Sequence, residues 1–156
     1  MNTVEMPIKN RSGLDHLRAQ MNGLVERSPA FDTFAMRLIQ VAYGKVVVEA
    51  NPGPNFINTL GTVHGGYAAA LLDTALGCAV HTILDRACNY TTVDLKVNYI
   101  RPMSEATGTV HVVGEVAHDG RKIATATGEI RSVATNKLIA HGVTTCLIFP
   151  DDSAEP

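Results

Sequence analysis

The sequence predicts an α+β fold: a long central helix wrapped by a curved antiparallel sheet of about six strands, with an extra helix at the N-terminus. Three observations carry this. The stretch 67–84 is rich in alanine and leucine, which favour helix, and is apolar on nearly every face, so other elements must enclose it. The pattern then switches to alternation. In 92–100, Val93, Leu95, Val97 and Tyr99 share one face and Asp94, Lys96 and Asn98 the other, as in a half-exposed antiparallel strand. Finally, 107–116, 121–133 and 137–149 each run well past the usual length of about five or six residues. Long strands beside one buried helix imply a sheet curved around it.

In chain order, 12–26 reads as a helix. Leu14, Leu17, Met21, Leu24 and Val25 recur at helical spacing, and Ser12 followed by Asp15 has the form of a capping box. Ser28-Pro29 ends it. Residues 31–40 and 45–50 read as a hairpin about the Tyr43-Gly44 turn. The prolines, glycines and asparagines of 51–61 mark a loop that leads into His64-Gly65-Gly66 and the long helix. Gly77 and several alanines keep that helix slim enough to lie close against other backbone. Arg101-Pro102 stops the next strand, and His118-Asp119-Gly120 and Thr135-Asn136 mark the later turns. The domain reading is a helical extension over 1–30, one domain over 31–150 and an acidic tail over 151–156.

Composition excludes several functions. Lysine and arginine total 13 against 15 aspartates and glutamates, a net charge of -2, so nothing draws the chain to nucleic acid or an anionic membrane. There is no tryptophan, which weakens any base-stacking platform. Cys78, Cys88 and Cys146 form no CxxC pair and read as reduced thiols of a cytoplasmic protein. The first ten residues hold Glu5 and Lys9 and no apolar run, so no secretory signal is expected. An aspartate inside a membrane costs roughly 3 kcal/mol, so 67–84, which contains Asp73, reads as a buried helix of a soluble protein. No metal and no cofactor are expected. His16 reads as lying on a polar helix face, and His81 as a cation near the negative end of a helix.

Asp73 is the most unusual residue. No other formally charged side chain lies in 67–84, and burying a carboxylate costs several kcal/mol unless it is paired or hydrogen-bonded. It reads either as a carboxylate facing a wet cleft or subunit interface, or as a structural aspartate. His64-Gly65-Gly66 opens the same helix. Such a terminus has free N–H groups and partial positive charge, and glycine lets a ligand approach them; it suits an oxyanion as well as a plain bend. Alone, His64 reads as a structural histidine. Asp73 follows Gly66 by seven residues, nearly the same helix face but roughly 10 Å along the axis. One chain cannot easily bring both to one reacting carbon. Two copies packed antiparallel can, which points to a homodimer-interface site.

HGGYAAALLDTALGCAV, the preceding Asn58, and TVDLKVNYIRP together resemble the hotdog-fold acyl-CoA thioesterases of the PaaI type, over roughly 31–149. The resemblance implies a helix wrapped by six antiparallel strands, dimers joined sheet edge to sheet edge, and tetramers as pairs of dimers. It implies Asp73 as catalytic base or nucleophile and the Gly65 N–H as oxyanion donor. Asn58 would place water or thioester, Thr92 from the partner subunit would assist the water, and His64 would order the loop or aid the leaving thiol. Arg101, Arg121 and Lys122 are candidates for the coenzyme A phosphates, and the loop around Phe56, Ile57 and Leu60 for the acyl pocket. The expected partners are an acyl-CoA substrate and further copies of the chain, as a dimer or dimer of dimers. A hydratase or dehydratase acting on acyl thioesters, and a non-catalytic acyl-CoA-binding module, remain alternatives.

Overall fold

The computed structural model describes residues 11–151. The readings of the first ten residues and of the last five as a frayed tail lie outside them.

Helix α1 spans Gly13–Met21, with Ser12 as N-cap: its hydroxyl accepts from the Asp15 N–H at 3.2 Å and donates to the Asp15 carboxylate at 2.8 Å. The helix is shorter than the periodicity predicts. Gly23 has φ +71°, the Gly23 N–H reaches the Gln20 carbonyl, and the Leu24 N–H reaches that of Ala19. That pairing is a Schellman stop, and it strands Leu24 at 65% exposure. Ser28-Pro29 opens a new helix rather than only ending the old one. Helix α2, Pro29–Thr33, takes Ser28 as cap and Pro29 in its first turn, where a missing N–H and a fixed φ cost nothing. The first strand is accordingly short.

The strands are β1 (Met36–Ala42), β2 (Lys45–Ala50), β3 (Cys88–Tyr99), β4 (Val110–Asp119), β5 (Ile123–Ser132) and β6 (Leu138–Pro150), and α3 spans Gly65–His81. They form one antiparallel sheet in the order β1-β2-β4-β5-β6-β3, wrapped round α3. Leu71, Leu72, Leu76 and Val80 of α3 are fully buried against Val46, Val48, Val110, Val112 and Ile130. Gly114, Gly128 and Gly142 stand in register across β4, β5 and β6. A Cβ on Gly114 would lie 2.3 Å from the Ala75 carbonyl oxygen, and one on Gly128 would lie 2.6 Å from a Leu76 methyl. This glycine row is the seat into which the slim helix settles.

Helix α1 caps the far end of α3. The Gly13 N–H bonds the Leu84 carbonyl at 3.1 Å, and the His16 and His81 rings lie 5.8 Å apart. This corrects the reading of both histidines. Burial, reinforced by His16, lowers the His81 pKa to about 4, and burial with Arg11 nearby lowers that of His16. Both are neutral at pH 7, so neither supplies a cation to the helix end. Among the described residues no helix is long and apolar enough to cross a membrane.

Candidate active site

The polar groups singled out in the sequence fall into two sets at different places on α3. The first is built at its N-terminus. Asn58 ties its own loop: its Oδ1 accepts from the Leu60 and Thr62 N–H groups at 2.8 and 3.2 Å, and its Nδ2 donates to the Thr62 hydroxyl at 3.0 Å. One Nδ2 hydrogen is left over. The loop then delivers His64, whose N–H meets the Phe56 carbonyl at 2.7 Å. His64 caps α3, its Nδ1 accepting the Gly66 N–H at 2.8 Å and its carbonyl the Tyr67 N–H at 3.0 Å. An Nδ1 that accepts leaves the ring proton on Nε2, and the side chain is exposed. The Gly65 N–H finds no acceptor among the described residues. It combines an open donor with the positive end of the helix dipole.

The second set surrounds Asp73, half-buried in the middle of α3. The Thr92 hydroxyl donates to Asp73 Oδ1 at 2.9 Å, within the same chain. Thr92 is therefore a neighbour of Asp73 in its own protomer and does not reach it from a partner. Strict alternation would put Thr92 on the outer face of β3 with Asp94. A bulge at Val93 shifts the register, pairing Thr92 with Cys146 and Asp94 with Thr145. Tyr90 and Thr92 thus join Leu95 and Val97 on the inner face, and Val93 is left 55% exposed. No cation pairs with Asp73 among the described residues, and its Oδ2 accepts no hydrogen bond yet is not buried. The groups packed round it stay protonated. Burial, reinforced by the Asp73 charge, pushes the Cys78 thiol to about 12 and the Tyr90 phenol well above its usual value. Burial also raises Cys146, with the neighbouring Thr92 and Thr144 hydroxyls opposing the shift.

Two hollows flank the helix tip. One, of about 300 Å³, is lined by Gly65, Ala68, Tyr99, Arg101 and Met103 among others. The other, of about 340 Å³, lies between His64, Gly66 and an aromatic group of Phe34, Phe56 and Tyr67, with Phe56 and Tyr67 ring centroids 4.2 Å apart. Phe56 and Ile57 line this hollow. Leu60, 85% exposed, lines neither. A larger hollow, of about 660 Å³, lies between α1, α2 and β1, away from both sets, and its Arg27 is paired with Asp32.

The chain matches the family model described as "Thioesterase superfamily" over residues 60–139, just over half its length and including His64, Gly65, Asp73 and Thr92. The chain belongs to the thioesterase superfamily. It is a thioester hydrolase, which sets aside the hydratase and the binding module. Human acyl-coenzyme A thioesterase 13 is 30% identical over 105 residues, covering 67% of this chain and 74% of that protein. A conserved protein of Pseudomonas aeruginosa is 26% identical with a TM-score of 0.74, over 85% of this chain and all but a few residues of that one. E. coli PaaI, from the phenylacetic acid degradation operon, shares the hotdog fold at a TM-score of 0.75 and 20% identity, over 87% of this chain and 96% of that one.

The candidate cations of this thioesterase divide as the polar groups do. Arg101 lies by the helix tip, its Nη1 on the Leu138 carbonyl at 2.7 Å, and lines the hollow with Gly65. Arg121 and Lys122 are exposed in the β4–β5 turn, where the Lys122 carbonyl accepts the Ile148 N–H. Between Leu138 and Leu147, β6 runs about 30 Å at the usual rise per residue, so the cations sit at opposite ends of the sheet. Two participants escaped the sequence reading. Cys146 had no visible partner, because Thr92 reaches its face only through the bulge. Tyr99 passed as one more apolar residue of an alternating strand, although its hydroxyl donates to the Gly65 carbonyl at 3.0 Å.

Proposed function

We propose that this thioesterase hydrolyses acyl-CoA at a site shared by two copies of the chain. Asp73 and Thr92 come from one copy, and His64, Gly65 and the Asn58 loop from the other. The observation that carries the reading is the open Oδ2 of Asp73 together with the open N–H of Gly65. Both belong to α3, yet eight residues separate them by about 12 Å along the axis, too far for one carbonyl group. β3 supports the pairing. It is an edge strand of 12 residues with Val93 and Tyr99 exposed, an edge that calls for cover. Antiparallel apposition of two such edges would also bring Arg121 and Lys122 of one copy toward Arg101 of the other, as the phosphates of coenzyme A require.

The chemistry follows from these groups. The thioester carbonyl oxygen accepts the Gly65 N–H, and Asp73 Oδ2 takes a proton from water as the water oxygen bonds to the carbonyl carbon. The electron pair displaced onto the carbonyl oxygen is held by that N–H and the helix dipole. Collapse re-forms the carbonyl, breaks the C–S bond and releases the thiolate of coenzyme A, which takes its proton from Asp73, while the outward Nε2–H of His64 can donate a hydrogen bond to the departing sulfur. Thr92, whose proton already goes to Asp73, orients the carboxylate. Direct attack by Asp73 is the other route, and label from ¹⁸O water entering Asp73 in a single turnover would identify it. The reaction needs no added cofactor, since coenzyme A is part of the substrate. Buried, protonated thiols suit a cytoplasmic setting, and a dimer or pair of dimers is the working form.

A panel of acyl-CoAs with free-thiol detection tests this. Thiol release that falls by about 10²-fold or more in Asp73→Asn supports the proposal. Release at the wild-type rate in that variant refutes it.

A further inference from the structure

We infer that Tyr99 is a positioning residue for hydrolysis: its hydroxyl pins the Gly65–Gly66 peptide and so aims the oxyanion-binding N–H. The inference rests on the role proposed for Gly65. Two successive glycines open α3, and neither has a side chain to hold its backbone against neighbours. The turn is instead held by hydrogen bonds, among them that of the Tyr67 N–H to the His64 carbonyl at 3.0 Å. Val63 and His64 anchor the approach through the Met103 and Phe56 carbonyls at 2.9 and 2.7 Å. His64 Nδ1 then takes the Gly66 N–H at 2.8 Å, and Tyr99 donates to the Gly65 carbonyl at 3.0 Å.

The last two bonds act on one peptide plane. The Gly65 carbonyl and the Gly66 N–H belong to the same amide, so Tyr99 holds one side and His64 the other. The plane cannot rotate without losing both, and it restrains the preceding His64–Gly65 amide through the shared Gly65 Cα. That amide, which carries the Gly65 N–H, is itself held by the Tyr67 N–H on the His64 carbonyl at 3.0 Å. Each bond also polarises the amide in the sense that strengthens the other. The chain of donors runs Tyr99 O–H to Gly65 C=O, then Gly66 N–H to His64 Nδ1, and ends at the His64 Nε2–H that faces outward. The Tyr99 ring adds a steric guide. A Cβ on Gly65 would lie 3.3 Å from two of its ring carbons, so the ring lies against this glycine. Tyr99 itself is 57% exposed, so the ring is not there to fill the core. It stands over the hollow formed by Gly65, Ala68, Arg101 and Met103.

Tyr99→Phe removes the hydroxyl and keeps the ring, and at so exposed a position the fold is retained. With an acyl-CoA that the wild type hydrolyses, kcat should fall about three- to tenfold with KM within about twofold, the loss of one hydrogen bond that positions rather than binds. In the ¹H–¹⁵N spectrum the Gly66 amide proton should move upfield as its carbonyl loses a donor, with the melting temperature unchanged. An unchanged kcat, a loss confined to KM, or an unmoved Gly66 resonance overturns the inference. Asp73→Asn, assayed beside it, separates the two levels. Wild-type activity in that variant overturns the shared-site reading itself, whereas its inactivation together with a fully active Tyr99→Phe overturns only the role of Tyr99.

Discussion

Gly65→Pro is the substitution that isolates the oxyanion donor. It deletes the Gly65 N–H and almost nothing else. Gly65 occupies the first helical position of α3, where proline is favoured because no intrahelical bond is lost. His64 has φ -58° and ψ 135°, the extended region that a residue before proline prefers. No acceptor inside the chain loses a partner, since this N–H has none among the described residues. The ring must clear Tyr99, 3.3 Å from the position a Cβ would take, and that exposed side chain can yield by a few tenths of an ångström. Stability should change little, so calorimetry should give a melting point within a few degrees of wild type. Losing one oxyanion donor costs about 3–4 kcal/mol of transition-state stabilisation, a 10²–10³-fold fall in kcat. Steady-state thiol release from an acyl-CoA reads it directly. A folded Gly65→Pro protein with kcat within about threefold of wild type would show that another group binds the oxyanion.

Thr92→Val should keep the shape of the side chain and leave Asp73 Oδ1 without its donor; kcat should drop about tenfold, the value of a hydrogen bond to a charged group, whereas Thr92→Ser should restore most of it. The docking of α1 should be acid-sensitive. Because the His81 pKa is about 4 when folded against 6.5 unfolded, its contribution is complete above pH 6.5 and lost as pH falls through 4, since the unfolded chain binds the proton first. The loss is on the order of 2–3 kcal/mol, and chemical denaturation at pH 7 and pH 4.5 should show a steeper decline in wild type than in His81→Gln.

Much of the fold follows from periodicity. The long apolar helix and the strands after it are legible because their spacing must satisfy a single core. What escaped were local devices that override spacing by one residue. The Val93 bulge turns Thr92 inward, which no alternation count reveals. Asn22-Gly23 stops α1 early although apolar residues continue in helical rhythm through Val25. Gly114, Gly128 and Gly142 read as separate weak points of three strands, and only the register turns them into one seat for α3. Within the site, Asp73 and the glycine pair stood out because they violate the pattern around them. Tyr99 fits its pattern, and only its hydroxyl's reach to Gly65 distinguishes it. The histidine pair was misread because charge was assigned from position on the helix, without the α1 segment that buries both rings.

Complementation between two inactive variants tests the shared site most directly. Asp73→Asn damages one set and Gly65→Pro the other, and each protein alone should be inactive. When the two are unfolded, mixed in equal amounts and refolded, half the dimers carry one chain of each kind. Each of these holds one intact site, built from the unaltered Asp73 of one chain and the unaltered Gly65 of the other, so about a quarter of wild-type activity should return. A mixture that stays inactive, while mass spectrometry shows the mixed dimer formed, would mean that both groups serve one reaction within a single chain, and the two-copy site would be wrong.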